Sequence, residues 1–133
     1  MARERPDPHE KLVIWVGSSK RDLLRLPIAV VDAIGRAISY AQFGGKHSSA
    51  KPWLGAGSSV FEIVQDYDGD TYRAMYTVKF AGVIYVLHCF RKKSPSGART
   101  GRRDIGLVSV RLQVANSDFE ERYGKRQVEK TTS

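Results

Sequence analysis

Residues 71–80 show the most regular alternation of positions along the chain. In 71–80 the even positions are all apolar or aromatic, whereas the odd positions hold Arg73, Met75, Thr77 and Lys79, which is the period of a strand with two different faces. Residues 60–65 predict a preceding strand, and Asp68-Gly69 is a strong hairpin signal between the two. Residues 83–90 are nearly all apolar, as expected for a strand buried on both faces. These three strands predict an antiparallel meander.

Helical spacing dominates outside the meander. After an apolar run at 11–17 that predicts a first strand, residues 20–26 predict a short helix and residues 27–43 a longer one, with apolar positions three and four apart. Residues 46–59 hold lysine, proline, glycine and several serines and predict a loop. Residues 102–122 again show helical spacing. The order β-α-α-β-β-β-α predicts an α+β fold, with an antiparallel sheet of about four strands and helices packed on one face.

The length of 133 residues predicts a single domain. We place it at 11–122, with flexible tails at 1–10 and 123–133. No apolar run reaches the about 18 residues of a transmembrane helix, and the N-terminus lacks the apolar stretch of a secretory signal. Cys89 is the single cysteine, so no internal disulfide can form. These features predict a cytoplasmic protein that does not use a membrane.

Positive charge is concentrated in one part of the chain. The net charge is +8, which favours an acidic partner. From Ala74 through Arg103 there is no aspartate or glutamate, whereas all of the following basic residues lie there: Lys79, Arg91, Lys92, Lys93, Arg99, Arg102 and Arg103. This asymmetry predicts a phosphate-binding surface. The alternative is a solvated loop whose charges serve solubility.

No metal or cofactor site is predicted. The three histidines are far apart and lack cysteine or paired carboxylates at ligand spacing, and no glycine-rich phosphate-binding motif is present. Cys89 stands in an apolar strand, which favours a core role over a nucleophile.

Counting back from the turn at 81–82 places Arg73 near the level of Phe90 on the next strand. Arg73 can therefore meet the strand end that carries His88, Lys92 and Lys93. Like charges that face each other are tolerated mostly where a polyanion binds between them.

This constellation fits RNA cleavage without a metal, which needs a base, a cation and an acid around one phosphodiester. Arg73 would bind the phosphate. Lys92 or Lys93, with a pKa lowered by neighbouring cations, would transfer protons, and His88 could do the same. A hydrogen-bonded core histidine is the alternative for His88.

The remaining cations would hold the RNA backbone. They are Lys79, Arg91, Arg99, Arg102 and Arg103. Arg102 and Arg103 stand in the first turn of the last helix, where cations oppose the helix dipole but can form an anion site.

The sequences Y-R-A-M-Y-T-V-K-F at 72–80 and Y-V-L-H-C-F-R-K-K-S at 85–94 resemble the phage-derived HigB-like branch of the RelE/ParE toxin superfamily. The flanking segments are similar to the same branch: L-L-R-L-P at 23–27, A-I-S-Y-A-Q-F-G-G-K at 37–46, A-K-P-W-L-G-A-G at 50–57 and R-R-D-I-G-L-V-S-V-R-L at 102–112.

The resemblance implies the toxin of a type II toxin–antitoxin pair, an α+β protein that enters the ribosomal A site and cuts mRNA without metal through attack by the 2′-hydroxyl. Its partners would be the ribosome, mRNA and a cognate antitoxin, often a helix-turn-helix protein. Arg73 matches the arginine that binds the scissile phosphate, and Lys92 and Lys93 match the basic end of the last strand. Lys51 matches a basic loop position and would hold the RNA backbone with the other cations. The C-terminal tyrosine or histidine of well-studied members has no match, so the general acid is unassigned.

Two alternatives from other functional classes stay open. One is a ParE-like protein that inhibits DNA gyrase by contact and without catalysis. The other is an inactive RNA-binding phage accessory protein.

Overall fold

The computed structural model describes residues 9–55, 59–92 and 101–124. The elements, in chain order, are β1 (Leu12–Trp15), α1 (Ser19–Leu24), α2 (Ile28–Gln42), β2 (Ala50–Trp53), β3 (Val60–Tyr67), β4 (Asp70–Thr77), β5 (Val83–Arg91) and α3 (Arg102–Phe119), followed by a π-helical turn over Glu120–Gly124. Most of the two predicted tails lies outside the described residues.

The strands form one sheet in the order β1-β5-β4-β3-β2. The meander of β3, β4 and β5 is antiparallel, as predicted, and β2 extends it antiparallel to β3. β1 pairs with β5 in parallel. The predicted α+β class is therefore confirmed, but the sheet has five strands rather than about four and is mixed rather than wholly antiparallel.

The additional strand is β2, which lies in the segment predicted to be a loop. It carries Pro52, and proline is tolerated in a strand mainly at a sheet edge, which is where β2 lies. The hairpin turn between β3 and β4 is the one that Asp68-Gly69 predicts. Both residues have positive φ, 50° and 84°, as a type I′ turn requires.

The helices cover both faces of the sheet, so the prediction that they lie on one face is wrong. Core residues of α1 and α2 pack with Ile84 and Val86 of β5 on what we call the α2 face. Val108 and Ala115 of α3 pack with Tyr85 and Leu87 on the opposite face, the α3 face. Since successive strand residues point to opposite faces, the nearly all-apolar β5 needs a helical layer on each side.

A β-bulge interrupts the alternation of β5. Met75 pairs with His88 and Tyr76 with Val86, so Leu87 is an extra residue without a partner in the register. Leu87 packs in the α3-face core, and His88 lies opposite Met75 of that same core. The bulge thus places two consecutive side chains on the α3 face. The carbonyl of Leu87 accepts a hydrogen bond from Nη1 of Arg111, at 2.9 Å.

Within the described ranges, no helix has the combination of length and apolar character that crossing a membrane would require.

Candidate functional site

Strand pairing places a group of charged residues side by side on the α3 face. Lys51 of β2 lies opposite Glu62 of β3, and Glu62 lies opposite Met75 of β4. Arg73, two residues before Met75, shares this face and lies diagonal to Glu62. The predicted level of Arg73 is confirmed, because its partner on β5 is Phe90.

Glu62 holds two of these cations. Its Oε2 lies 2.9 Å from Nη1 of Arg73, and its Oε1 lies 3.8 Å from Nζ of Lys51. Glu62 and Arg73 are buried, with about 7% and 8% of their side chains exposed, whereas the Lys51 side chain is 61% exposed. A buried charge is stable only when paired, so Glu62 fixes the guanidinium of Arg73 on this face.

Lys92 completes the group. It follows β5 and continues the ladder, because its backbone N–H donates to the carbonyl of Thr71 at 2.8 Å. The pKa of Lys92 is lowered by partial loss of hydration and then by the charges of Arg73 and Lys51, against the opposing charge of Glu62. We call Lys51, Glu62, Arg73 and Lys92 the basic cluster.

His88 lies on the same face but points to α3. Its Nε2 is 2.8 Å from Oδ1 of Asp104 in the first turn of α3. Its ring stacks on Phe90, with centroids 4.4 Å apart and an interplanar angle of 16°. His88 is only 6% exposed. A buried, hydrogen-bonded and stacked ring fits the core histidine that the sequence offered as the alternative to a proton-transfer role for His88.

The family described as phage derived protein Gp49-like (DUF891) matches residues 21–113, which include the whole basic cluster. This segment is more than half of the 133-residue chain. The chain belongs to the Gp49-like family. Membership confirms the phage-derived part of the predicted resemblance, and the RelE/ParE superfamily and its HigB-like branch stay predictions.

Among solved structures, this Gp49-like chain is similar to one described as the toxin–antitoxin complex RelBE2 from Mycobacterium tuberculosis. The sequence identity is 18% and the TM-score 0.42, and the match covers 60% of this chain and 95% of the other. No match is found among the curated proteins.

Two of the predicted cations lie away from the basic cluster of the Gp49-like protein. Lys79 follows the end of β4, where its Nζ donates to Oδ1 of Asn116 of α3 at 3.2 Å. Arg91 lies on the α2 face, as strand alternation from the buried Cys89 requires, and its Nη1 is 3.6 Å from Oδ2 of Asp70.

Arg102 and Arg103 are exposed in the first turn of α3, next to Asp104. Lys93 and Arg99 lie outside the described residues, so their predicted roles stay predictions. Burial raises the pKa of the Cys89 thiol to about 12, which keeps it protonated and unreactive.

Glu62 and Asp104 are the site residues that sequence reasoning missed. Glu62 stands between Phe61 and Ile63 in an otherwise apolar stretch, and a carboxylate there signals a cation on a neighbouring strand. Asp104 carried no comparable signal, because its contact with His88 depends on how α3 docks. In the described part of the chain, no three histidine, cysteine or acidic side chains lie close enough together to hold a metal ion.

Proposed function

We propose that this Gp49-like protein is the toxin of a type II toxin–antitoxin pair and that it cleaves mRNA on the ribosome without a metal ion. One observation carries the proposal: Lys51, Arg73 and Lys92 lie side by side on the α3 face around the buried Glu62. Three cations that share a single carboxylate retain net positive charge, which a phosphodiester would neutralise.

Each described member of the basic cluster has a role in this proposal. Arg73 binds the scissile phosphate and stabilises the charge that develops on its oxygens as the 2′-hydroxyl attacks. Glu62 positions Arg73 through the 2.9 Å ion pair. Lys92, whose pKa is lowered, transfers a proton to the leaving 5′-oxygen, and the proton of the attacking 2′-hydroxyl passes to solvent water. Lys51 contacts the neighbouring backbone.

The proposal extends to partners. A cognate antitoxin, of helix-turn-helix type, would hold the toxin inactive, and the ribosome would present the mRNA. These partners and the HigB-like branch rest on the motifs at 72–80 and 85–94.

Reconstituted translation with Arg73 variants tests the proposal. We expect the wild-type protein to cleave ribosome-bound mRNA and Arg73→Ala to lower the rate by about 10²–10³-fold, the usual effect of removing one donor that stabilises the transition state. Arg73→Lys keeps a cation beside Glu62 but loses the guanidinium fork, so it separates a chemical defect from a folding defect. Circular dichroism checks that each variant is folded.

Arg36→Ala is the matched control. It removes an exposed arginine from α2, which packs on the opposite face of the sheet, and cleavage should be unchanged. If mRNA stays intact with the wild-type protein, or if Arg73→Ala cleaves normally, the proposal is wrong. A DNA-damage response without RNA cleavage would support the ParE-like alternative, and RNA binding without growth arrest would support the accessory protein.

A further inference from the structure

Phe90 is an aromatic residue in the middle of the charged face. It lies directly opposite Arg73 and two residues before Lys92, so all three share the α3 face. It is only partly buried, although the residues before it in β5 from Val83 through Cys89 are all buried. One face of its ring is stacked on His88.

The His88 ring that supports Phe90 is itself fixed. His88 is buried, and its Nε2 is held by Asp104 at 2.8 Å. Its Nδ1 is buried without a hydrogen-bond partner in the described part of the chain, so the bond to Asp104 sets the plane of the imidazole. The bulge at Leu87 brings His88 to this face. Asp104, His88 and Phe90 therefore form a chain of contacts from α3 to the basic cluster.

This arrangement matches what single-stranded nucleic acid requires. Cations bind the backbone, and an aromatic ring beside them accepts an unpaired base by stacking. Side chains that are directly opposite on antiparallel strands have Cβ atoms about 4.5–5.5 Å apart, so a base attached to a phosphate at Arg73 can reach Phe90.

We propose that Phe90 is a base-stacking platform for the nucleotide next to the phosphate held by Arg73 and Lys92. His88 and Asp104 are positioning residues that fix the plane of its ring. The inference rests on the proposed function in that the ligand is single-stranded RNA. It adds a subsite that recognises a nucleobase rather than the backbone.

Binding of a non-cleavable RNA tests the platform. The probe is a short fluorescently labelled RNA with 2′-O-methyl groups, used intact and with an abasic residue at each position in turn, and the measurement is fluorescence anisotropy. We expect Phe90→Leu to weaken binding of the intact RNA about tenfold or more, and Phe90→Tyr to bind within a few-fold of wild type. One abasic position should weaken wild-type binding by a similar factor, and Phe90→Leu should cause no further loss on that RNA.

Asp104→Ala tests the positioning chain. It should reduce the difference in affinity between intact and abasic RNA while the salt dependence of binding, which reports phosphate contacts, stays the same. The matched control is Asp118→Ala, which removes another hydrogen bond between α3 and the sheet, from Tyr85 Oη at 2.7 Å. Asp118→Ala should leave the difference unchanged.

The outcomes separate this inference from the ribonuclease proposal. If Phe90→Leu weakens the binding of intact and abasic RNA equally, Phe90 is not a stacking platform. If the wild-type protein nevertheless cleaves mRNA, the ribonuclease proposal stands and only the platform is overturned. Base-dependent binding through Phe90 without cleavage would support the platform and count against the ribonuclease. If the wild-type protein binds no RNA, the platform is wrong. If Asp118→Ala reduces the difference in affinity between intact and abasic RNA as much as Asp104→Ala does, the positioning chain is wrong.

Discussion

Arg73 depends on Glu62 for its position. Both side chains are nearly buried, and burying either charge alone would be strongly unfavourable. Their ion pair therefore explains how a charged arginine can lie almost buried on a sheet face, where we propose that it binds phosphate. The same pair means that a loss of activity in Arg73→Ala must be compared with Arg73→Lys before it is assigned to chemistry.

Lys92 gives a pH prediction. If protonated Lys92 is the proton donor, the rate of cleavage falls as the pH rises through the pKa of Lys92. Because this pKa lies below the ordinary lysine value of 10.5, the rate begins to fall at a lower pH than an ordinary lysine would give. Lys51→Ala removes one of the cations that lower it, so the decline should move to higher pH. Lys92→Arg should lose about 10²–10⁴-fold in rate and remove the decline.

The measurement is a pH–rate profile of single-turnover cleavage. Lys46→Ala is the control, because Lys46 lies over Phe61, a residue packed against the α2-face core, and its loss should leave the profile in place. A profile that Lys92→Arg does not alter would show that another group donates the proton.

At the scale of elements, the bulge in β5 decides which side chains meet. Without it, strict alternation from Ile84 and Val86 would place His88 on the α2 face. The extra residue instead turns His88 toward Asp104, and Arg111 satisfies the carbonyl of Leu87. The same guanidinium donates to Oγ of Ser18, the residue before α1, at 3.0 Å, so one side chain ties α3 to β5 and to the start of α1.

Replacing either of two glycines by alanine should change the stability of the protein, with opposite signs at the two positions. Gly35 lies inside α2, and a Cβ there would meet no atom within 4 Å, so Gly35→Ala should stabilise the protein by about 0.5–1 kcal/mol through helix propensity. Gly17 has φ of +57°, and its Cβ would lie 3.0 Å from the guanidinium of Arg111. Gly17→Ala should therefore destabilise by about 1–2 kcal/mol. Urea unfolding followed by circular dichroism measures both, and changes of the same sign would contradict the prediction.

Charge acts on the scale of the whole molecule. The net charge of +8 attracts any polyanion, but the proposed phosphate contacts lie only on the α3 face. Plots of log Kd against log salt concentration for RNA binding should therefore change slope by about 0.7 in Lys51→Ala, the contribution of one phosphate contact to a single strand. Arg36→Ala should not change the slope, because Arg36 is exposed on α2, which covers the opposite face of the sheet. Equal changes in both variants would indicate diffuse attraction instead.

The periodicity of the sequence predicted most of the elements, since it depends only on which neighbours along the chain are apolar. The meander, its Asp68-Gly69 turn, α2 and α3 follow from periods of two and of three to four residues. The count from the turn at 81–82 placed Arg73 near the level of Phe90 because two offsets cancel. Close to the turn the pairing of Thr77 with Tyr85 is one residue off that count, and the extra residue Leu87 restores it before Arg73 pairs with Phe90.

The sequence by itself thus determined the α+β class, the meander and its Asp68-Gly69 turn. Only the tertiary structure decided that β1 joins β5 in parallel, that α3 covers the face opposite α2, and that Glu62 and Asp104 belong to the site. These features depend on contacts between segments far apart in sequence and on one extra residue in β5. Such contacts leave no local periodic signal, because they are selected by how whole layers pack.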